Sequence, residues 1–201
     1  MQLYHLARKM FLQLSSEGLK STLKELIYFN RIMVAIEKDL RAEAGIMKPT
    51  MHKIIVDRQN YFEYRNKFNI KNVLYYCRRG AQCLLLFDGK DLLGYQLWTY
   101  DSEFSDLRKL GIRMKKGEAY LFDLFVYPPY RGTVVPKIVA IETHNYLLSQ
   151  GINKIFGFYF KDNIKALWWH KAYLKCKEIK RVPTNRILIF EFTKGKISFK
   201  V

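Results

Sequence analysis

Cysteine is scarce in this chain. The three present, Cys77, Cys83 and Cys176, are odd in number and show neither a CxxC pair nor a Cys/His ligand spacing, which argues against a disulfide framework and against a zinc site. A reducing, cytoplasmic setting without a bound metal is therefore expected. Long apolar runs are also missing: none approaches the ~20 residues that a membrane-spanning helix needs. The N-terminal stretch MQLYHLARKMFLQLSS is interrupted by His5, Arg8 and Lys9 and so has no signal-peptide core. Internal repeats and low-complexity linkers are absent. Acidic residues are few, 18 Asp and Glu against 35 Lys and Arg, for a formal charge of +17. Such a field suits acidic partners: nucleic acid, an anionic membrane surface met peripherally, an acidic carrier protein or a phosphorylated cosubstrate. The basic residues are spread along the chain, so charge alone does not choose among them.

What is abundant is apolar. Hydrophobic residues make up 49% and aromatics 15% of 201 residues, which excludes a disordered chain and allows one well-buried domain with an appended segment. Apolar positions at helical spacing predict an amphipathic helix over residues 3–14 and a second over about 19–44, closed by Gly45 and Pro49. Beyond them the pattern alternates. KIIVD (53–57) reads as a strand, NYFEYRNKF as a short helix, and CLLLFDGKDLLGYQLWTY as a hairpin turned by Asp88-Gly89. A charged, loop-like segment runs to Lys116. EAYLFDLFVY is a strand, on which period two puts Glu118, Tyr120, Phe122, Leu124 and Val126 on one face. PKIVAIETHNYLLSQG then reads as a helix ended by Gly151, IFGFYF as a strand, NIKALWWHKAYLKC as a helix and RILIFEFT as a late strand. The organisation expected is a helical extension over 1–50 packed on a mixed α/β (α+β) domain over 51–201.

The stretch LFVYPPYRGTVVP (124–136) joins a strand to a helix through a glycine turn, and such a turn presents unpaired N–H groups at the positive end of a helix to a phosphate. LFDLFVYPPYRG resembles the motif strand and turn of the Gcn5-related N-acetyltransferases, the GNAT superfamily, whose pattern is a hydrophobic strand, Val-x-Pro-x-Tyr-Arg-Gly, a glycine-rich loop and a helix. NIKALWWHKAYLK resembles the family's later Asn-x-x-Ala helix through Asn163 and Ala166. The likeness covers about residues 83–192. It implies a mainly antiparallel mixed sheet flanked by helices, in which the motif strand splays from the next so that the pantetheine arm of coenzyme A inserts between them. It further implies acyl transfer to a small-molecule amine by direct attack, from an acyl-CoA, most simply acetyl-CoA.

Carried over by position, Val126 would bond the pantetheine or acyl carbonyl. Arg131, Gly132, Thr133, Val134 and Val135 would form the phosphate turn, and Asn163 would belong to the same binding region. Val134 and Pro136 stand where the family has small residues; valine disfavours positive φ, so a weaker or altered grip on the phosphate is expected. Aminolysis of a thioester needs a base, and Phe122 stands where some members place a glutamate, leaving Glu118 or Asp123 to act through water. The acid position of the motif holds His170, with Tyr173 as its nearby substitute. Two alternatives accompany this reading: a long-chain N-acyltransferase fed by acyl-phosphopantetheine on an acidic acyl carrier protein, as in GNAT-like N-acyl amino acid synthases, and a non-catalytic GNAT-like binding module.

Overall fold

The computed structural model describes residues 27–41, 51–64, 71–187, 190–193 and 196–199. Its strands, in chain order, are β1 (Ile27–Asp39), β2 (His52–Val56), β3 (Gln82–Asp88), β4 (Asp91–Thr99), β5 (Glu118–Val126), β6 (Lys154–Phe160), β7 (Lys177–Ile187), β8 (Phe190–Thr193) and β9 (Lys196–Phe199). The helices are α1 (Lys71–Arg78), α2 (Ser105–Leu110), α3 (Val135–Ser149) and α4 (Ile164–Trp168), the last continuing as a π-helical turn over Trp169–Tyr173. The chain divides into two compact units, one made of Ile36–Arg108 and Ile112–Phe158, the other of Met1–Ala35, Lys109–Gly111 and Tyr159–Val201.

In the first unit, β2, β3, β4 and β5 pair antiparallel in that order, and β6 joins β5 in parallel. The β3–β4 hairpin closes as expected, with Gly89 at φ 57 supplying the left-handed turn residue. β3 is buried on both faces, which explains its unbroken apolar run. Leu84 and Leu86 pack with Val135, Ile138, Val139 and Leu147 of α3, whereas Cys83, Leu85 and Phe87 pack with Val73 and Cys77 of α1. A third cluster joins Leu107 of α2 to Tyr120 and Phe156. Helices α1 and α2 are not signalled by the pattern, and α2 occupies the segment read as loop.

In the second unit the neighbours run β1, β7, β8, β9. The left-handed Asn30 (φ 53) gives its N–H to Asn185 Oδ1 at 2.7 Å, and Lys161 N donates to Ile32 O at 2.9 Å.

Two expectations are corrected here. Ile27–Asp39, read as the second half of a helix over 19–44, is a strand. Its IYFNRIMVAI segment is rich in aromatic and β-branched residues, and Met33 to Ile36 are buried consecutively, a pattern that periodicity cannot assign to helix or strand. The first predicted helix (3–14) lies outside the described residues. RILIFEFT is not one strand: it is divided between β7 and β8, which pair antiparallel with Ile187 opposite Phe190. Of NYFEYRNKF, Tyr61–Tyr64 forms a 3-10 turn and the remainder lies outside the described residues.

Candidate active site

The site begins at an irregularity in β5. Tyr95 pairs with Phe125 and Leu97 with Phe122, so three steps along β5 match two along β4 and one residue of β5 is extra. This is a β-bulge, and Asp123 takes up the excess in the left-handed region at φ 53, where aspartate is tolerated better than most side chains. Gln96, itself buried, holds the bulge by donating Nε2 to Phe122 O at 2.8 Å and to Leu97 O at 3.0 Å. Tyr95 donates its hydroxyl to Asp123 Oδ2 at 3.2 Å. Burial, and then the Asp123 carboxylate, push the Tyr95 phenol well above its ordinary range, so it stays a donor.

The bulge overturns the single face expected for β5. Ala119, Leu121, Leu124 and Val126 pack toward α3, whereas Tyr120, Phe122 and Phe125 pack on the opposite side. Alternation therefore switches at Asp123, as an inserted residue must make it do.

Beside the bulge the sheet opens. Parallel pairing of β5 with β6 covers Glu118↔Lys154, Ala119↔Ile155 and Tyr120↔Phe156 and then stops, although β5 continues to Val126. Glu118 lies at the closed end, where its Oε2 accepts the Lys115 N–H at 2.7 Å and closes the preceding loop.

At the other end of β5 stands the glycine turn. Pro128–Tyr130 forms a 3-10 turn, Arg131 is extended, and Gly132 is left-handed at φ 80. Val134 is right-handed (φ −74, ψ −14) with its side chain 52% exposed, so the valine does not occupy a position that needs glycine. The conformational reason for expecting a weaker grip at Val134, a positive φ that valine disfavours, does not apply there. Thr133 Oγ1 donates to Tyr130 O at 2.6 Å and accepts the Val135 N–H at 3.2 Å, tying the turn to the start of α3. Arg131 folds back, its Nε donating to Val126 O at 3.0 Å and its guanidinium 5.4 Å from the Phe125 ring centre. Its own N–H goes to Pro128 O at 3.2 Å. The N–H groups of Gly132, Thr133 and Val134 have no acceptor among the described residues and stand as a nest of donors in front of a 15-residue helix, a setting whose partial charge suits an anion.

Asn163, His170 and Tyr173 belong to the other unit. Asn163 caps α4, its Oδ1 accepting the Ala166 N–H at 3.1 Å, which gives the Asn-x-x-Ala spacing a local structural reason. His170, in the π-helical turn, stacks on Tyr159 with ring centres 5.6 Å apart. Tyr159 in turn donates to Glu178, which also holds Lys171 and Arg181. Hydrogen bonds from Lys171 first, then Tyr159 and Arg181, hold Glu178 down at about 2. Tyr173 is exposed and stacks on Trp169, centres 5.2 Å apart.

His170 Nδ1 is buried without a hydrogen-bond partner, and burial pushes the imidazole from its ordinary 6.5 down to about 4. The unfolded chain therefore binds this proton more tightly than the folded one. Stability from this group is complete above pH 6.5 and is lost as pH falls toward 4, by up to about 3 kcal/mol. Urea unfolding at stepped pH should show this slope in the natural chain, and His170→Phe, which keeps a stacked ring but no proton site, should remove it between those limits.

No protein-family model matches the sequence, and no curated protein matches it. Solved structures do. A protein assigned to the GNAT family of acetyltransferases from Novosphingobium aromaticivorans superposes with a TM-score of 0.50 at 10% identity, over 78% of this chain and 63% of that one. A tandem GNAT protein from the clavulanic acid biosynthesis pathway gives 0.49 at 11% identity, over 81% and 55%. A GNAT-family acetyltransferase from Staphylococcus aureus gives 0.44 at 19% identity, over 65% and 87%. The chain spans less than two thirds of the length of the first two. The likeness to the first of these shows the GNAT fold, a mixed and mainly antiparallel sheet with flanking helices, as the two motifs imply. No helix among the described residues is long and apolar enough to cross a membrane.

Of the residues above, Gln96 and Tyr95 escape sequence reading. The one available signal is Asp123 itself, a carboxylate in the middle of the apolar run YLFDLFV.

Proposed function

We propose that this chain is an N-acyltransferase that moves an acyl group from an acyl-CoA thioester to an amine by direct attack. The observation that carries the reading is the opening of β5 from β6 after Tyr120, beside the bulge, with three free N–H groups at the far end of β5. A strand edge left unpaired accepts an extended, amide-bearing arm as it would another strand. The nest before α3 suits the phosphates that such an arm carries. The same arm on an acidic carrier protein would lack the diphosphate of free coenzyme A, and an intact nest favours the free cosubstrate.

In the reaction, the amine lone pair attacks the thioester carbonyl, the C–N bond forms and the C–S bond breaks. The amine proton leaves through water to Asp123, whose carboxylate stands at the bulge, and the thiolate takes a proton from an acid. Glu118 is less suited to be the base, because its carboxylate closes a loop at the paired end of β5. Between the two acid candidates, His170, held down at about 4 by burial, is neutral at pH 7 and lacks the imidazolium proton that a general acid would give. Tyr173 keeps a hydroxyl proton to give at that pH and is the acid of this reading.

Calorimetric titration with coenzyme A and with pantetheine tests the donor site. Coenzyme A is expected to bind at least tenfold more tightly than pantetheine. Gly132→Val, which forces a β-branched residue to φ 80 in otherwise open space, is expected to erase that difference while leaving pantetheine binding unchanged. Equal binding of the two ligands by the natural chain would overturn the phosphate role of the turn. Absence of acylated product with any amine in a mass-spectrometric panel would overturn the enzymatic reading in favour of a binding module.

A further inference from the structure

The unit that contains α4 carries a surface that acyl transfer does not use. Ile164 and Trp168 lie four residues apart on α4, hence side by side on one helical face, and each is 65% exposed. Phe29 of β1, 66% exposed, lines an open hollow of about 460 Å³ together with Lys161 and Asp162, the residues that lead into α4. Around these apolar groups the segment 161–177 holds five lysines, Lys161, Lys165, Lys171, Lys175 and Lys177, against one acid. That acid, Asp162, is bound to Arg31 at 2.9 Å. Lys161, Lys165 and Lys175 have no ion-pair partner among the described residues.

We propose that this face is a docking surface for an anionic lipid bilayer. Exposed large apolar side chains clustered in one place mark an interaction site rather than ordinary surface. The types present match the chemistry of a membrane interface: Trp keeps its ring at headgroup level with the polar atom toward water, Ile and Phe enter the acyl boundary, and lysine stems follow them while the ammonium groups stay at the phosphates. Charge complementarity selects an anionic leaflet. A single-stranded nucleic acid fits less well, because bases need a succession of free aromatic faces and among these groups Trp168 and Phe29 alone expose one. Ile164 has none, and the Trp169 and Tyr173 rings are stacked on each other.

Sedimentation of the full chain with lipid vesicles tests this. Vesicles of phosphatidylcholine with about a third phosphatidylglycerol are expected to carry the protein down at least tenfold better than phosphatidylcholine alone, with loss of binding as salt rises above about 0.1 M. Lys165→Gln and Lys175→Gln should each weaken binding about fivefold, the equivalent of ~1 kcal/mol per lysine near the surface. Trp168→Ser with Ile164→Ser should abolish it, while circular dichroism and thermal unfolding of these surface variants stay unchanged. In the natural chain, lipids brominated near the headgroup should quench tryptophan fluorescence, and Trp168→Phe should remove most of that quenching. The proposal fails if anionic vesicles leave the protein in solution, if the Trp168/Ile164 variant binds as well as the natural chain, or if quenching survives Trp168→Phe. Binding to single-stranded RNA with none to vesicles also overturns it.

Discussion

Gly94→Val is expected to lower the unfolding free energy by about 3 kcal/mol and to abolish donor binding in whatever fraction still folds. A Cβ at Gly94 would stand 2.6 Å from Phe125 O, 3.3 Å from Val126 Cα and 3.3 Å from Val126 Cγ2. The first contact is with backbone, so no rotamer change relieves it, and β5 must move away from β4. That movement acts at Val126, whose carbonyl anchors Arg131 and through it the phosphate turn. Gly157→Ala is the control, because its Cβ would meet Ile36 and Leu121 O no closer than 3.5 Å, ordinary van der Waals distances. It should change stability by less than about 1 kcal/mol. For a chain of this size a 3 kcal/mol loss corresponds to a Tm lower by roughly 6–12 °C, readable by calorimetry. Equal Tm values for the two variants would show that β4 and β5 are not held at this spacing.

The parts of the fold that were legible in the sequence are those fixed by local chemistry. Asp88-Gly89 states a hairpin because the turn residue must be left-handed, and Gly132 and Gly151 bracket α3 for the same reason. β3 could be read because burial on both faces leaves an unbroken apolar run. What could not be read depends on partners distant in sequence. Ile27–Asp39 has the composition of a strand, but a consecutively buried segment has no period to separate it from a helix. The bulge in β5 exists only relative to β4, so period-two counting carried Glu118's face straight through Asp123 to Val126, where the structure reverses it. Val134 illustrates the opposite error. A family pattern suggested a glycine-like backbone there, yet the turn spends its one left-handed residue at Gly132 and leaves Val134 in the ordinary helical region. The likeness to GNAT motifs was sound for topology and misleading for the conformation of single residues.

The largest effect on turnover should come from Asp123→Asn. Asparagine tolerates the left-handed backbone at φ 53 and still accepts the Tyr95 hydroxyl, so the bulge and its hydrogen bond should survive with only the charge removed. Stability should change by less than about 1 kcal/mol. If Asp123 takes the amine proton through water, kcat/KM should fall 10²- to 10⁴-fold, roughly the contribution of a general base. The acidic limb of the pH–rate profile, which reports protonation of that carboxylate, should vanish with it, and donor affinity should stay unchanged because the nest before α3 lies at the far end of β5. Glu118→Gln provides the contrast. Its amide oxygen can still accept the Lys115 N–H, so neither fold nor turnover should move. Reversal of these outcomes, with Glu118→Gln inactive and Asp123→Asn normal, would place the base at the paired end of β5 and remove the bulge from the chemistry. Loss of activity in Asp123→Asn together with a lowered Tm would instead make the residue a support for β5, and the unchanged acidic limb expected in that case separates the two roles.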